Sequence, residues 1–153
     1  MTTGISVDYT PQFPEKPFRG ARCLMPKYTL VINTDKKQCR ALCELLEKGH
    51  YPVTAMHSIQ NLESHLEEKK FLAVIIDIDS IPIDNRTVRK LTLKFPGIYF
   101  FCLSEKPFHP ELKDAICYHI YACLNKPVDE DELFYFLRSI YENETDTQNN
   151  YAE

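Results

Sequence analysis

Three side chains that could take part in phosphoryl chemistry each follow a short apolar run. Asp77 follows FLAVII, Ser104 follows IYFFCL, and Lys126 comes shortly after IYACL. A carboxylate oxygen is a nucleophile that can accept a phosphoryl group. An ammonium group neutralises the charge of that group, and a hydroxyl donates a hydrogen bond to its oxygens. If the fold brings these three side chains together, they can receive and hold a phosphoryl group.

The hydrophobic pattern predicts the elements that must position these residues. Five short apolar runs alternate with five segments of helical periodicity between about residues 27 and 142. The central runs are apolar throughout, which is typical of parallel strands covered on both faces. We therefore predict a single doubly wound α/β domain with a five-stranded parallel sheet in the order 2-1-3-4-5. The carboxyl ends of its strands meet at one edge, so the three side chains should lie close together.

Capping signals predict where several helices begin. Asp35 followed by Gln38 indicates a capping box at the start of the first helix. A second box starts at Asp129 and opens a last helix, which we expect to end at Glu142. A short, weakly patterned helix should begin near Pro110.

The two ends of the chain differ from the domain between them. Residues 1–26 contain four prolines and no periodicity, which predicts an extended arm or a disordered tail. Residues 143–153 are polar and aperiodic, which predicts a solvated tail. The expected division is therefore a Pro-rich arm (1–26), one domain (27–142) and a polar C-terminal tail (143–153).

The composition argues against several classes of function. The 18 basic and 22 acidic residues give a net charge of −4 without a basic cluster, so we expect no nucleic-acid partner. No apolar run approaches the roughly 20 residues of a membrane span, and the N-terminus lacks the apolar core of a secretory signal. We therefore expect a cytoplasmic protein without a membrane partner, whose six cysteines are reduced. The four glycines are too far apart to form a phosphate-binding loop.

These features together resemble the CheY-like receiver domain of bacterial two-component response regulators. The resemblance covers about residues 27–142 and depends on the (βα)5 order, on Asp77 and Ser104 at strand ends, and on the Lys126-Pro127 dipeptide before the last helix. It implies a flavodoxin/CheY-like fold. It also implies that Asp77 is the phospho-acceptor, that Ser104 is the switch hydroxyl, and that Lys126 binds the phosphoryl group.

The acceptor position has one competitor, Asp79. Receivers usually carry a proline four residues after the acceptor, whereas Pro82 lies five residues after Asp77 and three after Asp79. Asp77 directly follows the buried run, where the strand should end. The spacing to the first and fourth strands also favours Asp77, which we therefore predict to be the acceptor.

The sequence departs from the receiver pattern at the metal site. Receivers normally end the first strand with two adjacent acids that bind Mg²⁺ together with the acceptor. The corresponding residues here are Asn33 and Thr34, so up to two formal charges are missing. Asp35 could join Asp77 as a ligand, but its predicted capping role competes for the same carboxylate. We expect Mg²⁺ to bind weakly or not at all, and we expect no other cofactor.

Aromatic residues near the C-terminus predict a docking surface. The aromatic residue that receivers carry three positions before the strand-5 lysine is Cys123 here, although Tyr121 shares its strand face. Tyr135 lies away from the apolar face of the last helix. We predict that Tyr121 and Tyr135 belong to a surface for a protein partner, such as a histidine kinase, a downstream target or a second copy of this chain. Cys102 and Cys123, on neighbouring strands, are expected in the core.

The expected function is a stand-alone receiver-like domain in two-component or phosphorelay signal transduction, and not an enzyme. Its Mg²⁺-dependent phosphorylation should be weak or lost, and 153 residues leave no room for an output domain, so its output should be a protein contact. Two alternatives remain. Asp77 and Lys126 could form only a structural ion pair. The strand ends could also bind a small molecule, as in a flavodoxin-like protein or enzyme, although the chain lacks a Gly-rich loop.

Overall fold

Five parallel strands form one sheet in the order β2-β1-β3-β4-β5 in the computed structural model, which describes residues 27–106 and 109–152. The predicted arm of residues 1–26 lies outside the described residues. The strands are β1 (Tyr28–Ile32), β2 (Val53–Met56), β3 (Phe71–Asp77), β4 (Tyr99–Ser104) and β5 (Ala122–Asn125). The helices are α1 (Lys36–Lys48), α2 (Leu62–Glu68), α3 (Asn85–Lys94), α4 (Lys113–Tyr118), which follows a 3-10 turn (Pro110–Leu112), and α5 (Glu130–Ala152). This order confirms the predicted fold class.

The central strand β3 explains why its sequence is apolar throughout. All seven of its residues are buried, because β1 and β4 pair with its two edges and helices cover both faces. Successive side chains point to opposite faces of a strand. Ile75 accordingly joins the core that contains residues of α1 and α5, whereas Val74 and Ile76 join the core that contains residues of α2 and α3. Asp77 is the last residue of this buried strand, so its carboxylate is held at the edge of a rigid sheet.

The end of α1 at Gly49 lies against α5. The backbone N–H of Gly49 donates to the carbonyl oxygens of Leu45 and Leu46, at 3.3 and 3.1 Å, and so closes the helix. A Cβ atom at Gly49 would lie 2.8 Å from two ring carbons of Phe134. The Phe134 ring of α5 therefore packs into the space that a side chain at position 49 would occupy.

The last helix is longer than the sequence predicts. The expected end at Glu142 is wrong, because α5 continues to Ala152 and includes most of the predicted tail. Two contacts tie this helix to the start of β1. Glu144 forms an ion pair with Lys27, and the Tyr141 hydroxyl donates to the Lys27 carbonyl oxygen at 2.6 Å. Among the described residues, no helix has the length and apolar character that crossing a membrane requires.

Candidate functional site

Asp77 forms the buried floor of a polar site at the carboxyl ends of the strands. Its side chain is 1% exposed. Its Oδ2 atom accepts a hydrogen bond from Asn33 Nδ2 at 2.7 Å and lies 2.6 Å from Lys126 Nζ. Its Oδ1 atom accepts from the backbone N–H of Asp79 at 2.9 Å. Both oxygens therefore have partners, as a buried carboxylate requires.

Lys126 connects two carboxylates. Besides its contact with Asp77, its Nζ atom lies 3.2 Å from Asp79 Oδ2 and 3.4 Å from Gln38 Oε1. Burial by itself lowers the pKa of the Lys126 ammonium, but the hydrogen bonds to Asp77 and Asp79 outweigh it and hold the pKa above its ordinary value. Lys126 is therefore kept charged at neutral pH.

Asp79 is the second carboxylate of the site, and like Asp77 it has three partners. Its Oδ1 atom accepts from the Ser104 hydroxyl at 2.7 Å, and its Oδ2 atom accepts from the backbone N–H of Glu105 at 2.8 Å. Partial burial by itself raises the pKa of Asp79, whereas these two hydrogen bonds and Lys126 lower it, and the net result is a pKa below the ordinary value. A hydroxyl, an amide and an ammonium group therefore converge on one carboxylate.

The structure thus brings Asp77, Ser104 and Lys126 to one edge of the sheet, but the three side chains do not all contact one another. Lys126 contacts Asp77 directly, whereas Ser104 is buried and donates to Asp79. The backbone N–H of Lys106 donates to Ser104 Oγ at 3.0 Å, which orients the hydroxyl further. Their assigned roles in phosphoryl chemistry stay predictions.

The residues at the end of β1 hold the site through neutral groups. Asn33 is 2% exposed, and its Oδ1 atom accepts from the Asp35 N–H at 2.9 Å and the Ser80 hydroxyl at 3.3 Å. Thr34 is exposed and contributes its backbone N–H to Ser80 Oγ at 3.3 Å. Asp35 caps α1, since its Oδ1 atom accepts from the backbone N–H groups of the second and third helical residues, at 2.9 and 3.1 Å.

This set of groups does not fit a Mg²⁺ ion. Magnesium requires oxygen ligands in near-octahedral geometry. The groups that contact the Asp77 carboxylate are instead donors: the Asn33 amide, the Asp79 N–H and the Lys126 ammonium. Asp35, the other predicted ligand, is engaged at the start of α1. Within residues 27–106 and 109–152, no group of three or more His, Cys, Asp or Glu side chains is arranged to hold a metal ion.

Gln38 belongs to the site, which the sequence reasoning missed. The capping-box prediction assigned its side chain to the backbone N–H of Asp35, but that N–H donates to Asn33 instead. Gln38 Oε1 faces the site and accepts from Asn33 Nδ2 at 3.3 Å and Lys126 Nζ at 3.4 Å. A signal for this was present, because the first turn of a helix that follows a strand end lies over that end of the sheet.

A cavity of about 250 Å³ adjoins the site beside Ser104. Cys102 and Cys123, which are in register on β4 and β5, both line it. Cys102 is buried, but the expectation that Cys123 is also in the core is wrong. Cys123 is exposed, because it lies on β5, which is an edge strand of the sheet. A hydrogen bond with the Cys102 thiol lowers the pKa of Cys123 to about 7.

Tyr121 and Tyr135 lie on the surface as predicted, with exposed fractions of 41% and 61%. Both rings contact Phe136, with centroid distances of 5.8 Å to Tyr121 and 5.7 Å to Tyr135. Phe136 therefore links the two tyrosines into one continuous aromatic surface, which α5 and the residue before β5 form. Its use by a partner stays a prediction.

No protein-family model matches the sequence, and no curated protein matches it. Solved structures do match the fold. A signal receiver domain of an HD domain-containing protein from Pseudomonas fluorescens Pf-5 is 20% identical, with a TM-score of 0.69 over 81% of this chain and 93% of that one. A CheY-like receiver domain protein from Methanospirillum hungatei JF-1 is 17% identical, with a TM-score of 0.68 over 80% of this chain and 99% of that one. A CheY-like receiver domain from Methylobacillus flagellatus is 22% identical, with a TM-score of 0.64 over 76% and 99% of the two chains. The chain therefore has the fold of the CheY-like receiver domains of response regulators.

Proposed function

We propose that this chain is an atypical receiver-like signalling domain of the cytoplasm, whose strand-end site accepts a phosphoryl group on Asp77 slowly and without a tightly bound metal. The observation that carries this proposal is the convergence of three different donors beside Asp77. The Ser104 hydroxyl, the Glu105 N–H and the Lys126 ammonium all point to one anionic position next to the Asp77 carboxylate. Such a set of donors matches the oxygens of a phosphoryl group.

The reaction assigns one task to each residue. An oxygen of Asp77 attacks the phosphorus of an acyl phosphate, the bond from phosphorus to the acyl oxygen breaks, and the free carboxylate leaves. The Lys126 ammonium neutralises charge on the transferred group, and Ser104 donates to one of its oxygens. Transfer is slow because Asp77 Oδ2 already binds Asn33 and Lys126, so these contacts must loosen before the oxygen can attack.

We propose that the output is a protein contact through the aromatic surface that contains Tyr121 and Tyr135. Exposed tyrosines supply large apolar area at low entropic cost, which is why they recur at interaction hot spots. The partner in this proposal is a histidine kinase, a downstream target or a second copy of the chain.

The small-molecule alternative has weaker support. The cavity beside Ser104 has about 250 Å³, which is below the range of roughly 300–1,000 Å³ for typical ligand pockets. Its position near α4 is also compatible with a loosely packed edge of the sheet.

Labelling with acetyl phosphate tests the phosphoryl proposal. Intact-mass spectrometry should show slow addition of a single phosphoryl group to the unmodified protein. Asp77→Asn should abolish the addition, whereas the matched variant Asp79→Asn should retain it. Labelling that persists in Asp77→Asn would place the acceptor elsewhere, and the absence of labelling in every variant would refute phosphoryl acceptance.

A further inference from the structure

The carboxylate of Asp79 already lies where the donors of the site converge. On the basis of the function proposed above, we propose that the Asp79 carboxylate occupies the phosphoryl-binding donors as an internal anion. Asp79 must leave these donors before Asp77 can be phosphorylated. The site is thus regulated by a competitor that the chain itself carries two residues after the acceptor.

The geometry of Asp79 is that of a bound anion and not of an incidental surface acid. Its two oxygens accept from Ser104 Oγ at 2.7 Å and from the Glu105 N–H at 2.8 Å, and Lys126 Nζ lies 3.2 Å away. These distances fall in or near the range of charge-assisted hydrogen bonds. Ser104 and Glu105 are consecutive at the end of β4, whereas Lys126 follows β5, so the donors come from two neighbouring strand ends and no single local turn accounts for all of them.

The backbone holds this anion close to the acceptor. The N–H of Asp79 donates to Asp77 Oδ1 at 2.9 Å, and the N–H of Ile81 donates to the Asp77 carbonyl oxygen at 2.9 Å. Ile81 is itself only 2% exposed, which anchors the turn after β3 in the core. A tethered group competes at a high effective concentration, commonly in the millimolar range or above. Asp79 therefore competes efficiently with any free anion.

Because of their charges, the Asp79 carboxylate and a phosphoryl group on Asp77 cannot occupy the donors at the same time. A phosphoryl group on Asp77 and the Asp79 carboxylate would both be negative, and both would need Lys126, which already contacts the two carboxylates. Like charges at such short distances repel each other. The Asp79 side chain is 24% exposed, so it can turn into solvent when a phosphoryl group arrives. Displacement of Asp79 is thus a required step of phosphorylation.

Removal of the occupant should therefore speed up phosphorylation. A hydrogen bond to a charged group contributes roughly one to two factors of ten to an equilibrium, so Asp79→Ala should be labelled by acetyl phosphate about 10- to 100-fold faster than the unmodified protein. Glu67→Gln is the matched control, because it also removes one carboxylate, but one that is exposed and pairs with Lys94 at 3.2 Å, away from the three donors. This variant should be labelled at the unmodified rate.

An NMR titration with inorganic phosphate provides a readout that does not depend on Asp77 chemistry. In Asp79→Ala, the Glu105 amide resonance should shift saturably with phosphate, whereas in the unmodified protein it should not respond. Asp79→Asn is the second variant should the alanine variant fold poorly, since it keeps an acceptor oxygen while losing the charge.

The two readouts separate this inference from the function proposed above. Equal labelling rates with and without Asp79 would overturn the inference and leave phosphoryl acceptance by Asp77 intact. A phosphate response of Glu105 confined to the Asp79 variants, without labelling of any variant, would support Asp79 as the occupant of these donors and refute acceptance by Asp77. If neither the labelling rate nor the phosphate response differs between the unmodified protein and the Asp79 variants, the inference is wrong.

Discussion

Lys126→Met should destabilise the fold by about 3 kcal/mol, because it leaves a buried carboxylate without its cation. Asp77 is 1% exposed and lies 2.6 Å from Lys126 Nζ. Removing one partner of a buried ion pair typically costs about 3–5 kcal/mol. We expect the lower end, because Asp77 keeps its hydrogen bonds from Asn33 and from the Asp79 N–H. For a domain of this size, such a loss corresponds to a decrease of about 6–12 °C in melting temperature.

Urea unfolding of four proteins measures this effect: the unmodified chain, Lys126→Met, Asp77→Asn and the double variant. The double variant should recover most of the stability that Lys126→Met loses, because it leaves no unpaired charge at position 77. Lys48→Met is the matched control. Its ion pair with Glu130 is largely exposed, with 68% and 43% of the two side chains accessible, and the loss should stay below about 1 kcal/mol.

Two outcomes would refute this reasoning. The first is a Lys126→Met variant as stable as the Lys48→Met control. The second is a double variant that is no more stable than Lys126→Met alone. The first result would mean that the neutral donors of Asp77 compensate its charge and that Lys126 contributes little to the folded state. The second would mean that the loss in Lys126→Met does not come from an unpaired charge at Asp77.

Three further predictions concern the metal, pH and the partner surface. The unmodified protein should bind Mg²⁺ only weakly, as measured by calorimetry, and the double substitution Asn33→Asp with Thr34→Asp should increase the affinity for Mg²⁺. Tight Mg²⁺ binding by the unmodified chain would contradict this prediction. The lowered pKa of Asp79 stabilises the fold above the unfolded carboxyl pKa, and the raised pKa of Lys126 stabilises it below the unfolded ammonium pKa. The contribution of this pair to stability should therefore be constant between about pH 5 and 10. It should fall below this range as Asp79 takes up a proton and above it as Lys126 loses one. Thermal melts should show that the melting temperatures of the unmodified protein and of Asp79→Asn converge in acid. Tyr135→Ala should change the unfolding free energy by less than about 0.5 kcal/mol, since the side chain is 61% exposed. It should nevertheless weaken self-association, measured by ultracentrifugation, or binding to a partner kinase. An unfolded variant would place Tyr135 in the core.

The positions of the strand ends could be predicted because burial on both faces leaves a clear trace in the sequence. The run FLAVII is apolar at every position, and the structure buries all of β3. Asp77 and Ser104 therefore had to lie at the carboxyl ends of neighbouring strands, independently of the loop conformations. The same argument applies to Lys126, since the short strand β5 ends directly before it.

The directions of the side chains beyond the strand ends could not be predicted in this way. The position of Asp79 depends on the turn that Ile81 anchors and on donors about 25 and 47 residues further along the chain. Beyond the predicted end of α5, Glu144 likewise pairs with Lys27, which lies more than 110 residues away in the sequence. Periodicity and capping signals are local, so they carry no information about such contacts.

The neutral residues after strand 1 and the contacts of the Asp79 carboxylate are linked by the charge balance of the site. A receiver with two acids at the end of its first strand has three carboxylates, including the acceptor, and therefore needs a divalent cation to balance them. Here Asn33 and Thr34 are neutral, and the carboxylates of Asp77 and Asp79 share the ammonium of Lys126. One cation and several neutral donors thus satisfy the site without a metal ion. Under the two proposals made above, a chain with neutral residues after strand 1 and the Asp79 carboxylate among the phosphoryl-binding donors would be stable in its unphosphorylated form and would react more slowly at Asp77.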